Sequence, residues 1–214
     1  MEGLPVARPL YAEDLAGLCG SDVAAVKKSL ESRPKGSNIA VALLPDVETI
    51  QWHHAREDFV ATELHGKTPK VKGAMVGTEK GKRIWCYWTR MWSNSDPAED
   101  KGNTLHILRL VVEEAGCDST SNGVQDASAS HGHDAAVAAL MLLAQREAAE
   151  WKMEHVEIWS PSPVTVSAAQ KLDPAAKVIS RDAESIASLQ WYPEHKGPVA
   201  SKIDWVGNEK YGWC

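Results

Sequence analysis

The chain has 214 residues, enough for one domain or two small ones. Apolar residues make up 43% and charged residues 24%, which is the balance of a globular protein and excludes wholesale disorder. The formal charge of −6 argues against nucleic-acid binding through a generally basic surface. No apolar run approaches the roughly 18 residues of a membrane span. We therefore expect neither nucleic acid nor a membrane among the partners.

The cysteines and the N-terminal residues predict the compartment. Acids and a proline interrupt MEGLPVARPLYAEDL, where a signal peptide needs a continuous apolar stretch. The four cysteines are scattered and form no CxxC pair: Cys19, Cys86, Cys117 and Cys214. We expect reduced thiols in a cytoplasmic protein, with neither a disulfide framework nor a zinc site.

Residues 1–38 are predicted to form an N-terminal helical segment. One helix is expected over Tyr11–Leu18, and Ser21 is a plausible N-cap for a second helix that ends at Pro34. The apolar run 39–44 is a strand or a buried turn. Asp46 can then cap a helix from about Val47 to Leu64.

The pattern changes after residue 70 from helical to β-type. Two apolar segments, 71–76 and 83–92, are separated by a turn at 77–81, which predicts a hairpin. The strand 104–112 follows and is apolar on both faces, which is typical of a strand covered on both sides.

The second half of the chain opens with a stretch rich in Ser, Gly, Asp and Asn, which predicts a flexible loop over 114–133. Asp134 would cap an Ala-rich helix that extends to about residue 151. A strand, a short helix and two further strands are predicted at 155–160, 164–172, 185–191 and 203–206. We expect the aromatic residues at the end of the chain to dock on the sheet as its last strand.

This order predicts an α/β fold in which a mixed, mostly antiparallel central sheet has helices on both faces. Several blocks are distinctive: LLPDVETIQWHHAREDFV, RIWCYWTRMW, NTLHILRLVVEE, HVEIWSPSP and DWVGNEKYGWC. In order and sequence they resemble the C-terminal GNAT-like half of the fungal lysine N-acetyltransferase (Lyc-type) family, within the GCN5-related N-acetyltransferase (GNAT) superfamily. The resemblance assigns a GNAT-like domain to residues 39–214.

The resemblance implies acetyl transfer from acetyl-CoA to the amine of lysine or a related small amine. In that fold the cofactor lies where the strands at 103–112 and 155–160 part. The residues that would bind it are Leu110, Val111, Val112 and Gly132. Backbone N–H groups at the end of the strand would polarise the thioester carbonyl.

Two positions tied to this chemistry depart from the family pattern. GNAT enzymes bind the pyrophosphate on a Gly-rich turn at a helix start, where free N–H groups face the anion, but only Gly132 is available here and Asp134 adds a negative charge. The stretch 162–173 also lacks the Tyr that protonates the departing thiolate. The alternative is therefore a catalytically inactive module that recognises substrate or docks on a catalytic GNAT partner domain.

Glu113 and Glu114 are the candidate catalytic bases, because they follow the apolar strand where cofactor and amine would meet. The apolar setting is compatible with a raised pKa that would suit a base. The alternative is that both are solvated loop acids.

Six residues are candidates for substrate binding: His53, His54, Trp85, Trp88, His106 and Arg109. His53 and Glu57 have the i, i+4 spacing of a metal site or proton relay, but no third ligand is evident and we assign no metal. A structural role for these histidines is the alternative. The tryptophans form either an aromatic wall for an amine or part of the core.

Overall fold

The computed structural model describes residues 3–33, 39–113, 127–180, 188 and 203–213. Its helices are α1 Ala12–Ser32, α2 Val47–His65, α3 Ala127–Glu150 and α4 Pro163–Leu172, with a short 3-10 helix at Lys210–Gly212. Its strands are β1 Arg8–Leu10, β2 Ile39–Val41, β3 Gly73–Val76, β4 Ile84–Met91, β5 Thr104–Val112, β6 His155–Ile158 and β7 Ile203–Trp205. None of the described helices is long and apolar enough to cross a membrane.

The main sheet has the strand order β1-β3-β4-β5-β6. Its neighbouring strands are antiparallel except for β5 and β6, which run parallel. The predicted hairpin and the mixed, mostly antiparallel sheet are therefore confirmed. In the part of the chain that the structure describes, a second sheet contains β2 and β7, which pair in parallel.

Helices cover both faces of the main sheet because the side chains of β4 alternate between two apolar clusters. Trp85 and Tyr87 pack with apolar residues of α1 and α2. Cys86 and Trp88 point the other way and pack with α3 and α4. All four side chains are fully buried, so the tryptophans of β4 belong to the core.

The N-terminal region differs from the prediction of two helices. α1 is one continuous helix, and the Ser21 hydroxyl donates to the Gly17 carbonyl at 3.1 Å. Ser21 therefore bonds back along the helix instead of capping a new one. The Asp46 prediction is confirmed, because its carboxylate accepts the Thr49 N–H at 2.8 Å at the start of α2.

The predicted start of the Ala-rich helix is wrong. α3 begins at Ala127, so residues 127–133 are helical and not part of a loop. Asp134 lies inside the helix, where its carboxylate accepts a hydrogen bond of 2.7 Å from the Lys171 ammonium of α4. Residues 114–126 lie outside the described part of the chain.

The end of the chain docks on the core, but not as a strand. The predicted strand at 203–206 is present as β7, whereas the one at 185–191 falls outside the described residues apart from 188. The last residues form the 3-10 helix, in which Lys210 and Tyr211 are buried. The expectation of a final strand is therefore wrong.

Candidate functional site

The parallel strands β5 and β6 part within the main sheet. They are paired only from Thr104–His155 to Ile107–Ile158, while β5 continues to Val112. Leu108 is an extra residue on β5, since Tyr87 and Trp88 of β4 face Arg109 and Ile107. A bulge of this kind bends a strand and re-aims the residues after it. We call the resulting opening, between residues 108–112 and the chain after Ile158, the wedge.

Residues 206–213, which we call the closing segment, bridge the two sides of the wedge. The Ser160 hydroxyl donates to the Asn208 carbonyl at 3.0 Å on the β6 side. On the β5 side the Leu110 N–H donates to Glu209 Oε2 at 3.3 Å. The backbone donor that the parting of the strands leaves free is therefore taken by a side chain of the same protein.

Arg109, the neighbour of Leu110 on β5, also binds Glu209 and so reinforces this closure. Its Nε and Nη2 donate to the two oxygens of Asp22 at 2.8 and 2.7 Å, and its Nη1 donates to Glu209 Oε1. Burial alone would lower the pKa of Arg109, but Asp22 and Glu209 hold it well above its ordinary value. Burial also raises the pKa of the Glu209 carboxyl, against the pull of Arg109.

Four further contacts fix the closing segment. His53 Nε2–H donates to the Tyr211 carbonyl at 2.9 Å, and the Tyr211 hydroxyl donates to the Leu43 carbonyl at 2.6 Å. The Val206 N–H donates to the Val41 carbonyl at 2.8 Å. The Lys210 ammonium lies 4.7 Å from the centre of the Trp159 ring, a cation–π contact.

Glu113 is held in an ion pair. Its carboxylate accepts Arg83 Nε and the Gly81 N–H, both at 2.8 Å. Burial would raise the pKa of Glu113, but the hydrogen bonds from Arg83 and Gly81 hold it below its ordinary value. Glu114 lies outside the described residues.

The two adjacent histidines of α2 are buried and bonded to backbone. His54 Nε2–H donates to the Trp88 carbonyl at 2.9 Å, as His53 does to that of Tyr211. Burial lowers the pKa of both, that of His54 to about 4, so His54 is neutral near pH 7. His106 is buried in the paired part of β5, where its Nδ1 lies 3.6 Å from Glu157 Oε2 of β6. Among the described residues no group of three or more His, Cys, Asp or Glu could hold a metal ion.

A buried charge network joins α2, β4 and α3, and sequence reasoning missed it. The fully buried Glu57 accepts Lys72 Nζ at 2.6 Å and both the N–H and Nη1 of Arg90 at 2.8 Å. Arg90 Nη2 reaches Glu147 on α3, and Lys72 also reaches Asp58 at 2.6 Å. The signal that could have found it is Arg90 in a strand that is otherwise apolar apart from Thr89, because a buried arginine requires a carboxylate partner.

The candidate cofactor residues do not form an open acetyl-CoA site. The Leu110 N–H is taken by Glu209, whereas Leu110 and Val112 pack toward α3 and Val111 toward α1. Gly132 lies inside α3, where an added Cβ would meet no described atom within 4 Å beyond its own stretch of helix. The arrangement therefore does not fit the cofactor while the closing segment is docked.

These features define a GNAT-like mixed α/β fold in which the closing segment bridges the wedge between β5 and β6. The chain matches the LYC1 GNAT-like C-terminal domain family over residues 1–214 and belongs to it. GNAT-family domains generally bind acetyl-CoA and have acetyltransferase-type functions.

Two further comparisons, with solved structures and with curated proteins, were made for the whole chain. Among solved structures, the crystal structure of wild-type TTHA1254 from Thermus thermophilus is similar, with a TM-score of 0.40 and 12% identity over 86% of this chain and 98% of that one. A comparison with curated proteins found no match.

Proposed function

We propose that this chain is the non-catalytic half of an N-acetyltransferase of lysine-like amines. It supports a catalytic GNAT domain by docking on it or by recognising its substrate, and it does not itself bind acetyl-CoA. The observation that carries the proposal is the Glu209 carboxylate on the Leu110 N–H, since a pantetheine arm in the wedge would need that donor.

The state of Glu113 supports the same proposal. A general base for an amine needs a pKa near the working pH and access to the substrate. Glu113 instead has a lowered pKa and two partners that take both of its oxygens. Large exposed apolar side chains on α2, Trp52 at 50% and Phe59 at 68%, supply a surface on which a partner domain could dock.

A thermal-shift titration with acetyl-CoA up to 1 mM tests the cofactor half of the proposal. A ligand at 100 times its Kd stabilises the folded state by about 2.7 kcal/mol, which would raise the Tm of a chain of this size by about 5–10 °C. We expect no shift of the Tm that depends on the acetyl-CoA concentration. A shift of several degrees would overturn the proposal.

The supporting role is tested by calorimetry with two titrants, L-lysine and the catalytic GNAT half of a LYC1-family protein. Binding of at least one of them is expected. If the GNAT half binds, replacing Trp52 and Phe59 with Ser should weaken it at least tenfold, and Thr62→Ser on the same helix serves as the matched control. Failure of both titrants to bind would contradict the supporting role.

The second candidate is an acetyl-CoA-dependent acetyltransferase acting on a lysine-like amine. The parting of β5 from β6 after the bulge favours it, because this is the backbone arrangement that the cofactor requires. A thiol-release assay with lysine and related primary amines distinguishes the two. Turnover would select the enzyme, and its absence together with binding of the GNAT half would select the supporting module.

A further inference from the structure

The Glu209 carboxylate is held as a bound ligand would be. Its two oxygens each take one donor, Oε1 from Arg109 Nη1 and Oε2 from the Leu110 N–H. One donor is a guanidinium and the other is a strand-edge amide that the parting of β5 and β6 leaves without a strand partner. Two donors arranged in this way match the planar carboxylate group.

The donors are oriented independently of Glu209. Asp22, 1% exposed at its side chain, fixes Arg109 through two hydrogen bonds to Nε and Nη2, which leaves Nη1 aimed at the wedge. The Tyr211 ring lies 5.8 Å from the guanidinium carbon. The amide of Leu110 is fixed by the pairing of β5 with β4. Removing the Glu209 side chain would therefore leave both donors in place.

We propose that Arg109 and the Leu110 N–H form a binding site for a small carboxylate, which Glu209 of the same chain occupies. The occupant is a free monocarboxylate of acetate size, because the space vacated by the Glu209 side chain beyond its Cβ is that of one carboxylate and one methylene. Asp22 already balances the charge of Arg109, so affinity is modest and a free ligand competes poorly while Glu209 is docked. The rescue experiment below contains no acetyl-CoA, so its outcome is read separately from that of the cofactor titration.

The experiment is chemical rescue of the Glu209→Ala variant of the whole chain by sodium acetate. Thermal unfolding is followed from 0 to 100 mM acetate, with chloride keeping the ionic strength constant. With a Kd of about 10 mM, 100 mM acetate should raise the Tm of the variant by about 3–5 °C, and above the Kd the shift should grow with the logarithm of the acetate concentration. The wild type should not respond, because Glu209 fills the site. Acetamide, the neutral isostere, should be without effect.

A matched control removes another partly buried carboxylate from an arginine. Glu147→Ala takes the carboxylate away from Arg90 Nη2, and among the described residues Glu147 accepts no hydrogen bond from a backbone N–H. Equal rescue of both variants by acetate, or equal rescue of Glu209→Ala by acetamide, would overturn the proposal. If Glu209→Ala is unfolded in chloride, the same titration is read as recovery of native tryptophan fluorescence. No recovery at 100 mM acetate would also overturn it.

Discussion

Replacing Glu57 with Met should strongly destabilise the protein, because Met keeps the volume but accepts none of the hydrogen bonds from Lys72 and Arg90. Glu57 is fully buried and accepts three of them, at 2.6–2.8 Å. Removing one partner of a buried ion pair costs about 3–5 kcal/mol. Each cation keeps a second carboxylate, Asp58 for Lys72 and Glu147 for Arg90, so we expect the lower end, about 3 kcal/mol.

Urea unfolding followed by tryptophan fluorescence measures this loss. The control is Glu63→Met, which changes an exposed glutamate on the same helix and should alter the free energy of unfolding by less than about 0.5 kcal/mol. If Glu57→Met lowers the free energy of unfolding by less than about 1 kcal/mol, and the slope of this free energy against urea concentration is unchanged, the view that Glu57 holds the two cations in the core is refuted.

Two further predictions concern acid stability and close packing. Burial lowers the pKa of His54 to about 4, below the value of about 6.5 in an unfolded chain. The unfolded state therefore binds more protons between these values, and stability should fall by roughly 3 kcal/mol as the pH drops through them. His54→Gln should lose this part of the pH dependence, whereas His155→Gln, which changes an exposed histidine, should keep it. The measurement is the difference in urea midpoint between pH 7 and pH 4.5 for each variant. An equal difference in the two variants would contradict the assignment to His54. Gly73→Ala should lower the free energy of unfolding by about 3 kcal/mol, since its Cβ would lie 2.2 Å from the Cys86 carbonyl oxygen. Gly20→Ala lies inside α1, where an added Cβ meets no described atom within 4 Å beyond its own stretch of helix, and it should raise the free energy of unfolding by about 1 kcal/mol. Urea unfolding measures both variants, and a similar loss in both would speak against the clash.

Elements whose signals are local could be predicted from the sequence. Asp46 marked the start of α2 because an N-cap acts within one turn of the chain. The hairpin of β3 and β4 followed from alternation around a short turn. The start of α3 could not be placed in this way, because Asp134 looks like a cap in sequence and is instead the partner of Lys171, far along the chain.

The candidate site was less predictable, since its closing contacts are long-range. Arg109 was selected from its place on β5, but nothing local indicates that Asp22 and Glu209 are its partners. Glu57 was assigned to His53 by helical spacing, whereas its partners Lys72 and Arg90 come from the next elements of the chain. Helical spacing identifies only partners on the same helix. A buried charge instead pairs with an opposite charge that the tertiary fold brings close, which can be distant in sequence.

The parallel pairing of β2 with β7 has a consequence for biosynthesis. It pairs Ile39 with Ile203, so β2 is synthesised long before β7. Until synthesis reaches β7 and the closing segment, a nascent chain contains the residues of β5 and β6 but not Glu209. The Leu110 amide can therefore gain its Glu209 partner only after synthesis has passed residue 209.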